Sequence, residues 1–235
     1  MKRDMLILVL CFCLVMGGAW FGKNNKKAAE PAFAAAEADS FQLVLDAGHG
    51  GEDGGALSAA GDKESDVNLG IVLRMDQLLG LCGVPPVLTR SEDVSIHDAG
   101  ASTLREKKVS DIHNRVALVE SLPAPLLVSI HQNSYPDARY SGAQVFYGQT
   151  EESRSWGEAA QEILRQCLDE SNSRAAKRIP DTVYLMNHIS CPAILVECGF
   201  MSNREEAARL QTPEYQKKLA AALTGASLQY IHSDT

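Results

Sequence analysis

Two histidines and two glutamates stand where a sequence of this pattern could build a hydrolytic metal site. His49 follows one apolar run, while His131 and Glu197 each end another, and Glu64 falls in the first turn of a predicted helix. Two neutral imidazoles and a carboxylate suit zinc, and three protein ligands leave a fourth position for water. A further carboxylate that does not bind the metal can act as general base for that water.

Each of these residues also has a purely structural interpretation. A histidine after a strand is commonly a satisfied surface or core residue, and the glycines of GHGGEDGG (48–55) are explained by turn geometry alone. A phosphate cradle is a poor alternative, because no Lys-Ser/Thr pair follows the glycines at Walker spacing. The polar end of a buried strand would account for Glu197, but a carboxylate there is costly unless it is paired or close to a metal.

The elements that must position these side chains alternate between strand and helix. Apolar runs predict strands at 41–46, 84–89, 126–130, 142–147 and 193–197, with a short extended piece at 183–186. Helical spacing and start signals predict helices at 63–81, 111–121, 151–171 and 203–210, and a last one that starts at 212–214. The alternation predicts an α/β fold with a largely parallel or mixed sheet, in which ligands bind outside the carboxyl ends of the strands.

Two details of this assignment concern boundaries. Asp62 is a plausible N-cap for the first helix. The stretch 91–110 is polar and leads into the helix at 111 without a predicted element of its own.

Composition and charge narrow the class of protein. The 235 residues are 45% hydrophobic and 22% charged, which is typical of a globular protein. Residues 1–36 carry five basic and two acidic side chains, which leaves 17 basic against 28 acidic in the remainder. Such an acidic surface repels phosphate backbones, so we expect no nucleic-acid partner.

The first 40 residues are predicted to serve export rather than folding. Lys2 and Arg3 precede an apolar run that extends to residue 22, which predicts a signal peptide or an N-terminal membrane anchor over 1–22. Residues 23–40 have the polar, alanine-rich composition of a linker. The folded domain is therefore predicted at 41–235, outside the cytoplasm, with membrane association through the first segment left open.

Four cysteines remain once Cys11 and Cys13 are assigned to the apolar segment. They are Cys82, Cys167, Cys191 and Cys198. If 192–197 is a strand, the last two are too far apart for a disulfide with each other, and we predict four free thiols. No Cys-x-x-Cys spacing exists, which excludes a cysteine-based zinc finger.

Four motifs, taken in order, resemble the signature of the zinc-dependent N-acetylmuramoyl-L-alanine amidases. They are LVLDAGHGGEDGGA (43–56), Lys63-Glu64 with Asn68-Leu69, LVSIHQNS (127–134) and ILVECGFMSN (194–203). The resemblance covers 41 to about 231 and implies a single α/β domain with a twisted sheet between helices. It implies that His49, Glu64 and His131 hold one zinc ion per chain and that Glu197 is the catalytic glutamate.

Two departures from the family pattern leave the implied ligands in place. Ala47 stands where proline is usual, and Gln132 where a small residue is usual.

A finer resemblance is to the germination-type members, which act on the cortex peptidoglycan of spores. It rests on TLREKKVSDIHNRV (103–116), RYSGAQVFYG (139–148), RAAKRIPDTVYLMNH (174–188) and EYQKKLA (214–220). The resemblance implies a role in cortex maturation or germination and a place in the cell wall or the forespore envelope. Ordinary solvated charges would also explain the basic clusters in these segments.

The implied reaction is hydrolysis of the amide between the lactyl group of N-acetylmuramic acid and L-alanine of the stem peptide. In it, Glu197 takes a proton from water and passes it to the departing amine. We hypothesise that Arg115 and Asn133 orient substrate or ligands, and that Asp46 accepts a hydrogen bond from a ligand imidazole.

Two other functions remain open from the sequence. One is a zinc peptidase that cuts within the stem peptide, and the other is a non-catalytic peptidoglycan-binding module. Peptidoglycan is the expected partner in every case, and the sequence identifies no protein partner.

Overall fold

A six-stranded mixed sheet organises residues 41–233, which are the part of the chain that the computed structural model describes. The strands are β1 (Gln42–Ala47), β2 (Val87–Leu88), β3 (Pro125–Asn133), β4 (Gln144–Tyr147), β5 (Lys177–Arg178) and β6 (Ala193–Phe200). The helices are α1 (Glu64–Leu81), α2 (Leu104–Glu120), α3 (Glu151–Leu168), α4 (Tyr184–Asn187), α5 (Arg204–Leu210) and α6 (Pro213–Ser233). The predicted export segment, 1–22, and the linker, 23–40, lie outside the described residues.

The strand order β2-β1-β3-β6-β4-β5 confirms the predicted α/β fold with a mixed sheet. Strands β2, β1, β3 and β6 run parallel, whereas β4 is antiparallel to β6. The carboxyl ends of β1, β3 and β6 therefore meet at one edge of the sheet. In this register His131 pairs with Glu197, and Gln144 pairs with Glu197 from the other side.

Helices cover both faces of the sheet, which explains why its central strands are nearly continuous apolar runs. Leu45 and Val128 pack on one face in a cluster that includes residues of α1, α3 and α6. Val44 and Leu127, their immediate neighbours in sequence, pack on the other face with residues of α2 and α4. Burial of a large aliphatic side chain contributes roughly 1.5–3 kcal/mol, so this two-sided core fixes the strand positions that carry the site. None of the helices among residues 41–233 combines the length and apolar character that a membrane span requires.

Helix α2 begins seven residues earlier than the sequence predicts. Its first turn is a capping box, in which the Thr103 hydroxyl accepts a bond from the Glu106 N–H and the Glu106 carboxylate accepts one from the Thr103 N–H. That turn is largely exposed and shows no apolar periodicity, so only the capping motif signals it.

Two further local predictions were wrong. Residues 183–186 are not extended, because Tyr184–Asn187 forms the short helix α4, and the Asn187 side-chain amide donates to the Val183 carbonyl. Lys63, rather than Asp62, is the N-cap of α1, since the Asp62 carboxylate accepts a bond from the Ser58 hydroxyl within the preceding turn.

The four described cysteines are unpaired, as predicted. Cys82 and Cys167 are exposed, whereas Cys191 and Cys198 are buried. Burial raises the pKa of Cys191 to about 11, so its reactive thiolate is scarce at neutral pH.

We expect an alkylating reagent to modify Cys82 and Cys167 rapidly in the native protein without prior reduction. Cys191 and Cys198 should react only after denaturation, because their side chains are shielded in the core. Peptide mapping by mass spectrometry resolves each site. Absence of modification at all four sites in denatured, unreduced protein would show that they form disulfides.

Candidate metal centre

His49, Glu64 and His131 converge at the carboxyl edge of the sheet. Glu64 Oε1 lies 3.4 Å from His49 Nε2 and 3.0 Å from His131 Nδ1. One potential ligand atom from each of the three residues lies within 4.8 Å of the others. The two imidazole rings meet edge to face, with their centroids 5.0 Å apart. The structure thus brings together the three residues that the sequence predicts as ligands.

The donor set fits zinc. A tetrahedral ion with bonds of about 2.1 Å holds its ligand atoms about 3.4 Å apart, and two imidazole nitrogens with one carboxylate oxygen form a known catalytic set. Burial lowers the pKa of His49, but hydrogen bonds to Asp53 and Glu64 outweigh it and raise that pKa to about 9. A metal must displace this proton, so metal affinity should fall as the pH falls.

The loop after β1 passes very close to the ligands, which requires glycine at two positions. A Cβ atom on Gly48 would lie 2.2 Å from the His131 ring, and one on Gly55 would lie 2.5 Å from the Glu64 carboxylate. His49 itself adopts a φ of 62°, a left-handed conformation that a histidine rarely takes. Gly48 and Gly55, the first and last residues of GHGGEDGG (48–55), therefore allow the loop to pass against the His131 ring and the Glu64 carboxylate.

Glu64 is fixed by bonds from three directions. Its carboxylate accepts the N–H groups of Ala56 at 2.8 Å and Gln132 at 3.0 Å, as well as the Asn68 side-chain amide at 3.3 Å. Burial acts to raise the pKa of Glu64, but the adjacent His131 and His49 hold it well below its usual range. The group is thus an ionised carboxylate, held in position to act as a metal ligand.

Gln132, one of the two departures from the family pattern, belongs to this network. Its side-chain amide donates to Asn68 Oδ1 at 3.0 Å, and Asn68 in turn donates to the Gly48 carbonyl. The Gln132 side chain therefore holds Asn68 in place, and Asn68 links Glu64 to Gly48 in the loop after β1.

Glu197 lies beside the three potential ligands with a free carboxylate oxygen. Its Oε2 is buried and has no hydrogen-bond partner among the described residues. Burial raises the pKa of Glu197 to about 7. A buried acceptor without a partner is costly, and a carboxyl with this pKa can accept and return a proton near neutral pH.

Asp53 is the carboxylate bonded to the His49 imidazole, whereas the sequence prediction gave this role to Asp46. His49 Nδ1 and Asp53 Oδ2 are 2.9 Å apart, and Lys108 Nζ lies 2.7 Å from the other oxygen of Asp53. Asp46 instead accepts bonds from Arg115, Thr89 and Ser129. The sequence prediction for Asp46 was wrong. Asp46 lies within β1 and pairs in register with Ser129 of β3, so its side chain contacts residues beside β1 and not the loop that follows the strand.

Replacing Asp53 with asparagine should weaken zinc binding about 10- to 100-fold, because a carboxylate fixes the tautomer and raises the basicity of its imidazole partner. The dissociation constant can be measured by competition with a chromophoric chelator. Glu52→Gln is the matched control, since Glu52 is exposed and pairs with Lys107. Equal zinc affinity in Asp53→Asn and the wild type would contradict this role.

Two buried arginines donate hydrogen bonds to backbone carbonyls in and beside the loop after β1. Arg115 donates to the carbonyls of Ala47 and His49, and Arg90 donates to the carbonyls of Ala47, Gly48 and Ser65. Arg115 is also paired with Asp46 and Asp111. Arg115 was predicted from the sequence to orient ligands or substrate, whereas Arg90 was not predicted, because these three carbonyls are distant from it in sequence.

Asp46 makes the stability of this region sensitive to acid. Burial acts to raise its pKa, but the Arg115 charge and the hydroxyls of Ser129 and Thr89 lower that pKa to about 2. Because the folded-state pKa lies below the unfolded one, the carboxylate stabilises the fold above about pH 4, and this contribution is lost as the pH falls towards 2.

We therefore expect Asp46→Asn to unfold at lower denaturant concentration than the wild type at pH 7. The difference in the free energy of unfolding should shrink between about pH 4 and pH 2, where the wild-type carboxylate takes up its proton. Denaturation curves at several pH values measure it. A difference that stays constant down to pH 2 would contradict the assigned pKa.

Comparison with known proteins identifies the family of this chain. Residues 43–227 match the family model described as N-acetylmuramoyl-L-alanine amidase. The germination-specific N-acetylmuramoyl-L-alanine amidase of Bacillus subtilis is 38% identical over 192 residues, which are 80% of this chain and 79% of that protein. The amidase AmiA of Escherichia coli is 25% identical over 236 residues, covering 81% of this chain and 76% of the relative.

Solved structures give the same result. The CwlD amidase of Clostridioides difficile, solved in complex with the GerS lipoprotein, superposes with a TM-score of 0.78 at 34% identity. That similarity covers 83% of this chain and all of the CwlD chain.

Proposed function

The chain belongs to the N-acetylmuramoyl-L-alanine amidase family, and from this membership we propose that it cuts peptidoglycan with a zinc ion held by His49, Glu64 and His131. The bond is the amide between the lactyl group of N-acetylmuramic acid and L-alanine. The observation that carries the proposal is the unpartnered oxygen of Glu197 next to a three-residue zinc donor set.

The residues of the chain divide the chemistry between them. When bound, zinc polarises the amide carbonyl and makes water a better nucleophile near neutral pH. Glu197 takes the proton of the attacking water and returns it to the L-alanine nitrogen, so that the amine leaves neutral. Asp53 and the buried Arg115 keep His49 in place throughout. The products are a glycan that carries a free lactyl carboxylate and a peptide with a free L-alanine amine.

The biological setting that we propose is the spore cortex. The support is the named germination-specific relative at 38% identity, together with the segments 139–148 and 174–188 that resemble this subgroup. Residues 1–22 would export the enzyme, either as a cleaved signal or as an anchor, to the cell wall or forespore envelope. The GerS complex of the Clostridioides difficile relative supports a search for a lipoprotein partner of this chain as well.

The experiment that tests zinc-dependent hydrolysis is digestion of purified sacculi with the protein before and after chelation. New amines are labelled and identified after acid hydrolysis. We expect labelled alanine from the untreated enzyme, none after chelation, and recovery on addition of zinc. Label on another amino acid would indicate a peptidase, and metal-loaded protein that yields no label would indicate a binding module.

A further inference from the structure

Two segments that resemble the germination-type subgroup meet in space outside the zinc site. Tyr140 comes from 139–148 and Arg174 from 174–188. The guanidinium carbon of Arg174 lies 4.6 Å from the centre of the Phe200 ring and 5.8 Å from that of Tyr140. The Tyr135 ring meets Tyr140 edge to face, with centroids 4.8 Å apart. We call Tyr135, Tyr140 and Arg174 the shelf.

The shelf is attached near β3 and β6, the strands that carry His131 and Glu197. Tyr135 lies four residues after His131, and its N–H donates to the Ser202 hydroxyl just beyond β6. Arg174 Nη1 donates to Gln144 Oε1 at 3.0 Å, and Gln144 pairs in register with Glu197. Arg174 is therefore connected through one residue, Gln144, to the strand position of Glu197.

The backbone at and after Tyr140 is held by hydrogen bonds to side chains, so this part of the shelf is ordered before any ligand binds. The carbonyl of Tyr140 accepts a bond from Asn203, and that of Ser141 accepts one from Arg174 Nε at 2.8 Å. Gly142 has a φ of +93° and donates its N–H to Glu206. A rigid loop loses little entropy when a ligand binds to it.

The exposed groups of the shelf suit a sugar. Tyr135 is 51% and Tyr140 is 46% exposed, although both rings are large and partly apolar. The bonds of Arg174 go to the neutral oxygens of Ser141 and Gln144, and no carboxylate of the described residues pairs with it. The C–H face of a pyranose packs against an aromatic ring, while its hydroxyl and acetamide oxygens accept bonds from a guanidinium.

We propose that the shelf binds a sugar of the glycan strand next to the muramoyl residue whose amide is cut. The proposal rests on the function proposed above, and it extends the substrate of this enzyme from the muramoyl peptide to the neighbouring glycan. The energy of this contact lies away from the reacting bond, so it should lower KM for glycan strands.

The first test measures binding of a peptide-free glycan tetrasaccharide to the purified protein by calorimetry. We expect the wild type to bind and Tyr140→Ala and Arg174→Met each to bind about 5- to 10-fold more weakly, the size of an aromatic or cation contact. Tyr140→Phe should retain most of the affinity, because the ring remains. Tyr184→Ala is the matched control, since Tyr184 is an exposed tyrosine that stacks on His188 instead.

The second test compares hydrolysis of an N-acetylmuramoyl peptide with hydrolysis of a peptide-bearing tetrasaccharide. Tyr140→Ala should raise KM for the longer substrate about 5- to 10-fold and leave the values for the shorter one unchanged. Equal losses on both substrates would overturn the proposal, because they would indicate a structural role. Wild-type protein that does not bind the peptide-free glycan would overturn it too.

A third arm separates the shelf from the stem peptide and from the reaction itself. If Arg174→Met weakens binding of the free stem peptide but not that of the peptide-free glycan, the shelf binds peptide and the proposal is wrong. If the wild type binds the glycan but releases no alanine amine from sacculi, the proposed hydrolysis fails while glycan binding by the shelf is upheld.

Discussion

Glu197→Gln is expected to lower the rate of alanine-amine release roughly 10²- to 10⁴-fold, the usual contribution of a general base. Glutamine keeps the volume and the hydrogen-bonding capacity of the side chain but cannot take up the proton of the attacking water. Zinc content should stay at about one ion per chain, because Glu197 is not one of the three converging ligands. Zinc analysis and muropeptide release, measured on the same preparation, check both expectations.

The contrasting variant is Glu64→Gln. An amide oxygen is a poor zinc ligand, so this change should lower metal affinity and rate together. The pair separates a base from a ligand, although both residues are glutamates at the same edge of the sheet. Near-wild-type activity in Glu197→Gln, or zinc loss equal to that of Glu64→Gln, would show that the role of Glu197 is misassigned.

His131→Ala is expected to reduce zinc from about one ion per chain to nearly none and to abolish hydrolysis, because two protein ligands do not retain a catalytic zinc. The loss should also appear in stability. A ligand at 100 times its dissociation constant stabilises the fold by about 2.7 kcal/mol, so added zinc should raise the melting temperature of the wild type but not of the variant.

His188→Ala provides the control for the loss of an imidazole. His188 is exposed and stacks on Tyr184, so its removal should leave zinc content and the thermal response unchanged. Full zinc occupancy in a protein that carries both His49→Ala and His131→Ala would refute the ligand assignment.

The residues that converge at the candidate metal centre were predictable from the sequence, because the hydropathy pattern there reveals the strands of the sheet. Strands buried on both faces read as nearly continuous apolar runs, so the positions of His131 and Glu197 directly after such runs follow from hydropathy, although β6 itself continues to Phe200. The motifs, taken in order, then distinguished His49 and His131 from the other four histidines of the chain. Local start signals also predicted helix boundaries, as the proline at the first position of α6 shows.

The supporting residues were not predictable by the same reasoning, because their roles depend on tertiary geometry. Asp53 reaches His49 only through the left-handed turn at His49 itself, and nothing in the composition of GHGGEDGG specifies that turn over others. Arg90 contacts carbonyls more than 20 residues away in sequence. The error on α4 has a related cause, since a single helical turn of Tyr184–Asn187 is too short for a periodicity to appear.

The most direct measurement of the central claim is digestion of sacculi by the wild-type protein in heavy-oxygen water, followed by mass spectrometry of the fragments. Hydrolysis by the proposed route adds one heavy oxygen to the lactyl carboxylate of the glycan and leaves an unlabelled peptide that begins with L-alanine. This labelling should disappear with chelator and in Glu197→Gln. Heavy oxygen on a carboxylate within the stem peptide, with the lactyl amide intact, would contradict the account.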